Sequence, residues 1–144
     1  SAVIAAGREF SDRVNDYLKS DDSFIVETTM SGKSFRRYIE SGRNLGFDIS
    51  MMFVFPENED ASLGRVQERV RKGGHHVPEI DIRRRFRRSL KNFWNVYRHL
   101  ADDWTLMYNS ETGPVRVAYY LERQLIVQSE TLLTRYWELG GISE

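Results

Sequence analysis

Apolar residues recur every three or four positions at the start of the chain, at Val3, Ala6, Phe10, Val14, Tyr17 and Leu18, a spacing that predicts an amphipathic helix over residues 2–18. The polar run 19–23 ends it as a turn. Phe24-Ile25-Val26 then predicts a short β-strand, followed by a loop and a second helix carrying Phe35, Tyr38, Ile39 and Leu45, which Gly46 closes. Residues 48–55 are almost wholly apolar and of strand length, which predicts a strand covered on both faces and stopped by Pro56. A polar loop leads to a helix over 63–72, a break at Gly73-Gly74, and a long helix over 78–100 with proline at its first turn. Ile82, Phe86, Leu90, Phe93 and Tyr97 mark the buried face of that helix. Residues 104–108 predict a further strand, 109–114 a turn, 115–120 and 124–128 a hairpin, and 130–139 a terminal helix.

Strands alternating with helices predict an α/β fold, a mainly parallel sheet with flanking helices, because parallel strands need crossover helices between them. A β-hairpin and a helix end it. No repeat, low-complexity tract or linker divides residues 1–144, so one domain is expected. Composition changes this picture little: 40% hydrophobic and 29% charged residues are ordinary for a soluble globular domain. No apolar run approaches the roughly 20 residues of a spanning helix, and no signal-peptide pattern opens the chain. A cytoplasmic protein without membrane contact is the expectation. The absence of cysteine removes disulfides, thiolate nucleophiles and cysteine-based zinc sites.

Charge changes the picture more. The formal net charge is zero, yet Arg65, Arg69, Arg71, Lys72, Arg83, Arg84, Arg85, Arg87, Arg88 and Lys91 crowd around a Gly-Gly-His-His turn. Guanidinium groups are planar, permanently charged and suited to bidentate grips on phosphate. A pI near 6.8 argues against a generic nucleic-acid binder, so nucleic acid is not an expected partner. Helical spacing sets Arg84 with Arg88 on one flank, Arg85 on the other, and Arg83 with Arg87 as a further pair. They cannot all meet one ligand, and most should be solvated or paired with carboxylates. Arg65 and Arg69 lie one turn apart before the glycine break. Two arginine-bearing helices joined by a glycine hinge describe a lid able to close over a polyphosphate. His75 and His76 occupy the turn. Adjacent side chains diverge and no third ligand is near, so they read as turn residues and no metal site is expected.

Residues 27–34, ETTMSGKS, match the phosphate-cradling pattern G-x-x-x-x-G-K-[ST] at every position but the first. There Glu27 brings a side chain and a negative charge where backbone must approach an anion closely. Three readings stay open. The segment is a nucleotide cradle, an ordinary loop entering a helix, or a ligand site at the end of a strand, where open α/β sheets bind their ligands. In the third, Glu27, Thr28 and Thr29 hydrogen-bond sugar or alcohol groups.

FIVETTMSG, then RVQERVRKGGHHVPEIDIRRRFRRSLKNF, then a strand ending in Tyr108-Asn109-Ser110, resemble the zeta-toxin-like kinases, P-loop proteins related to UDP-N-acetylglucosamine kinase. The likeness runs from around Gly7-Arg8 to Asn109. It implies a P-loop NTPase-like fold. It also implies an ATP- or GTP-dependent, Mg2+-requiring kinase acting on a small-molecule hydroxyl, such as that of UDP-N-acetylglucosamine, with an antitoxin protein as a further partner. By the same resemblance Glu27 and Thr29 hold the amino-sugar nucleotide, Arg65 contacts the transferred phosphate, and the second lid arginine is Arg84 or Arg85. Arg69, beside Arg65, joins them as a candidate for stabilising phosphoryl charge. The family's nucleotide loop and acidic base precede the point where this sequence begins. The resemblance therefore implies a kinase incomplete at its N-terminus and inactive as given, with a non-catalytic, toxin-like or pseudo-kinase binding module as the alternative and a nucleic-acid binder using the arginine-rich helix as a further, lesser one.

Overall fold

The computed structural model describes residues 1–143; the side chain of Val3 also lies outside the described residues. Five helices and four strands follow one another as α1 (Ala2–Lys19), α2 (Arg36–Asn44), β1 (Ser50–Phe55), α3 (Glu59–Arg71), α4 (Glu79–Asn95), β2 (Asp103–Ser110), β3 (Gly113–Leu121), β4 (Gln124–Val127) and α5 (Glu130–Gly140), with a 3-10 turn, Tyr97–Leu100, after α4. The fold is α/β. Among the described residues, no helix is long and apolar enough to cross a membrane.

The four strands form one sheet in the order β1-β2-β3-β4. Only β1 and β2 are parallel; β2–β3 and β3–β4 are antiparallel, so the sheet is mixed rather than mainly parallel. Connection length explains the difference. The links Glu111-Thr112 and Glu122-Arg123 are too short for anything but hairpins, and only the β1-to-β2 crossover carries helices. Glu122 and Arg123 both take positive φ, 50° and 64°, as a tight hairpin turn whose twist suits its strands requires. The expected 109–114 turn is correspondingly shorter, because Asn109 pairs with Pro114 and Ser110 with Gly113.

Helices cover one face of this sheet. Phe93 stacks on Phe53 with ring centroids 4.9 Å apart, and Tyr136 of α5 meets Phe55 at 5.1 Å. Trp104, Leu106 and Ala118 complete the buried layer. The opposite face is open. Met52 is 66% and Val54 48% exposed, so β1 is buried on alternate residues and not on both faces as its apolar run predicts. Ile82, Phe86, Leu90, Phe93 and Tyr97 are all buried, as their spacing requires.

Two further expectations are corrected. Residues 24–26 form no strand and have no sheet partner among the described residues, and Ile25 is 95% exposed. Three β-prone residues cannot hold strand geometry when no neighbouring strand accepts their hydrogen bonds. The long helix also stops at Asn95 instead of reaching residue 100. Its cause is Arg98, whose Nε donates to the Trp94 carbonyl, the acceptor that the Arg98 backbone N–H would need in a continuing helix. The same guanidinium lies over the Trp94 ring at 3.9 Å, which makes the exchange favourable.

Candidate functional site

The segment 27–34 is built as a clasped loop. Thr28 Oγ1 accepts from the Met30 N–H at 3.3 Å, Thr29 Oγ1 accepts from the Ser31 N–H at 3.4 Å, and the Thr29 and Ser31 hydroxyls lie 3.0 Å apart. Met30 takes φ +55°, a left-handed conformation costly for a side-chain-bearing residue, while its own side chain is buried in the core. Two groups at the end of α4 hold it there. Asn92 Nδ2 donates to the Met30 carbonyl at 2.8 Å, and Tyr97 Oη donates to the Gly32 carbonyl at 2.6 Å. Burial raises the Tyr97 hydroxyl above its usual pKa, so it remains a donor. Met30 is turned inward, while Glu27, Thr28 and Thr29 are each exposed.

This geometry weakens the nucleotide-cradle reading of ETTMSGKS. The Met30 and Ser31 amides are engaged by hydroxyls of their own loop, and no strand precedes it. Among the described residues, no group of three or more His, Cys, Asp or Glu side chains is placed to hold a metal ion. The loop instead borders a groove of about 290 Å³ against α1, lined by Glu9, Phe10, Arg13, Tyr17, Ile25 and Glu27 among others.

The arginines divide into pinned and free. Arg83 meets Glu79 at 2.9 Å, Asp60 at 3.0 Å and Glu59 at 3.3 Å, and these carboxylates hold it charged well above its ordinary pKa. Arg87 also meets Glu59, at 3.2 Å. These contacts clamp the N-terminus of α3 to the first half of α4. Arg84 is pinned too, by Asp81 at 2.7 Å. Arg65, Arg69, Arg85 and Arg88 are exposed and have no ion pair or side-chain hydrogen bond among the described residues. Helical spacing groups Arg85 with Arg88 and with Asn92 along one stripe, rather than setting Arg85 on a separate flank. The loop clasp thus lies on that stripe of α4, and the α3 clamp on the other side. No hydrogen bond or ion pair joins Arg65 and Arg69 to Arg84 and Arg85, or either pair to Glu27 and Thr29.

Gly73 and Gly74 act as a helix stop. Gly73 takes φ +103°, and the Gly74 N–H donates to the Arg69 carbonyl at 3.0 Å, satisfying an acceptor that the end of α3 would leave open. A Cβ on Gly74 would sit 2.9 Å from that same oxygen. His75 and His76 follow on an exposed connection. Asn92 and Tyr97 carry no motif, and the sequence points to neither as a site residue. The one signal for Asn92 is an amide set among the apolar positions Leu90, Phe93 and Trp94, which demands a buried acceptor.

The chain is 27% identical over 85 residues to an uncharacterized protein of Haemophilus influenzae, a match covering 59% of this chain and 61% of that protein. The chain thus spans about three fifths of that relative's length. No family model matches the chain, and no solved structure matches it.

Proposed function

We propose that these residues are the acceptor-holding and lid portion of a phosphotransferase of the zeta-toxin-like, P-loop kinase type, acting on a hydroxyl of a nucleotide sugar such as UDP-N-acetylglucosamine. The observation that carries this reading is the clasped 27–32 loop. An exposed carboxylate and two exposed hydroxyls fall on successive residues of a loop pinned from the core, and acceptors and donors held in this way suit the hydroxyls of a sugar. Glu27 and Thr29 orient the acceptor, and Thr28 fixes the turn. The free guanidiniums of Arg65, Arg69 and Arg85 supply positive charge for the transferring phosphoryl group. Arg84, held by Asp81, is the weaker member of the four. ATP or GTP with Mg2+ serves as donor in the intact enzyme.

The test is transfer of the γ-phosphoryl group from labelled ATP or GTP to UDP-N-acetylglucosamine by the protein expressed from its complete reading frame. Product formation is expected there and not with residues 1–144 alone. Turnover by residues 1–144 alone contradicts the assignment, and so does absence of transfer by the complete protein. A second reading, a non-catalytic toxin-like or pseudo-kinase module that engages a protein, an antitoxin for example, is favoured by one observation, the apolar open face of the sheet with Met52 and Val54 exposed.

A further inference from the structure

We propose that Asn92 and Tyr97 are positioning residues that set the acceptor hydroxyls of Thr28 and Thr29 in register with the free arginines of α4; this rests on the acceptor reading of the 27–32 loop. A left-handed methionine persists only where its surroundings over-determine it. Three contacts do so: its side chain fills the core, its carbonyl accepts from Asn92, and two residues on the Gly32 carbonyl accepts from Tyr97. Among the described residues Asn92 is the one buried polar residue beside the core hydrophobics, 8% exposed, and Tyr97 is fully buried. Neither can move without disturbing the packing around it.

Asn92 belongs to α4, the element that bears these arginines, and Tyr97 to the 3-10 turn that follows it. Arg88 lies one turn and Arg85 two turns before Asn92 on the same stripe of α4. The helix therefore works as a ruler: its C-terminal end fixes the loop, and its middle fixes the guanidiniums relative to that loop. Thr29 is tied to the same device, because its Oγ1 accepts from the amide directly after Met30. Rotating Met30 out of the left-handed region would break that hydrogen bond and redirect the Thr29 hydroxyl.

The experiment uses Asn92→Leu and Tyr97→Phe in the full chain, with two readouts. Hydrogen exchange across residues 27–35 is expected to rise about tenfold in each variant while β1 and β2 stay protected, since each substitution orphans one carbonyl. Affinity for UDP-N-acetylglucosamine, read by calorimetry, is expected to fall about tenfold in the wild-type background. It should fall no further when Asn92→Leu is added to Thr29→Ala, because Asn92 acts through the Thr29 position. Tyr97→Phe removes a single hydroxyl and carries the test if Asn92→Leu fails to fold. Unchanged loop exchange in both variants overturns the clasp. Faster exchange with unchanged affinity, or full additivity with Thr29→Ala, overturns the positioning role. If the wild-type chain binds no nucleotide sugar, the acceptor reading fails, and with it the positioning role, while exchange still decides the clasp.

Discussion

Met30 shows how a single residue ties folding to the candidate site. Its side chain contributes to the core while its backbone turns the loop, so packing and display share one position. The neighbouring roles are separable by mutation. Glu27→Ala removes an exposed carboxylate, and Thr29→Ala removes a hydroxyl that also accepts from the Ser31 amide; each should weaken binding of UDP-N-acetylglucosamine, roughly tenfold or more for the carboxylate, in line with hydrogen bonds to charged groups. Calorimetry on the folded variants checks this, and unchanged affinity in both would remove these side chains from the site. In the core, Phe93 is fully buried against Phe53 and Trp104. Phe93→Ala should lower unfolding free energy by about 3–5 kcal/mol, read from urea denaturation.

Among the elements, α3 and α4 form the arginine-bearing pair, and their joint is electrostatic as well as apolar. Arg83 bridges Glu59, Asp60 and Glu79, so Arg83→Leu should lower Tm and raise hydrogen exchange at the start of α3. Arg85, with no partner among the described residues, should behave oppositely: Arg85→Ala leaves Tm unchanged but lowers phosphoryl transfer by the complete protein, by about 10³-fold if it meets the transferring group. A Tm loss with Arg85→Ala and none with Arg83→Leu would reverse these roles. The periodicity of Ile82, Phe86, Leu90 and Phe93 made α4 legible, because a 3.6-residue repeat encodes burial directly. What sequence could not give was partner choice. Which arginines are neutralised depends on Glu59 and Asp60, distant in sequence and brought close by the crossover. The strand expected at 24–26 likewise failed for a non-local reason, since pairing needs a neighbour that three residues cannot specify. Asn92 and Tyr97 escaped notice because their partners are backbone carbonyls, which leave no mark in a motif.

Seen across the whole molecule, one face of the mixed sheet is packed by helices and the other stays open. Met52 on β1 and Ile126 on β4 lie along one register row, Met52–Thr105–Tyr119–Ile126, on the open side. The crossover between β1 and β2 delivers α3 and α4 to the covered side, where the end of α4 reaches the 27–32 loop. Charge is arranged with the same asymmetry: basic residues concentrate on α3 and α4 although the chain is neutral overall. Were this a nucleic-acid surface, affinity for duplex or single strands would fall steeply with salt, by nearly one logarithmic unit per unit for each phosphate neutralised. The account predicts no such binding at low salt, because several of those arginines are occupied by carboxylates. The central claim is that the clasped loop receives a nucleotide-sugar hydroxyl, and its most direct measurement is calorimetric titration of UDP-N-acetylglucosamine into the wild-type chain and into Glu27→Ala. Saturable one-to-one binding that Glu27→Ala weakens is the predicted result; no binding by the wild-type chain, or binding indifferent to Glu27, would contradict it.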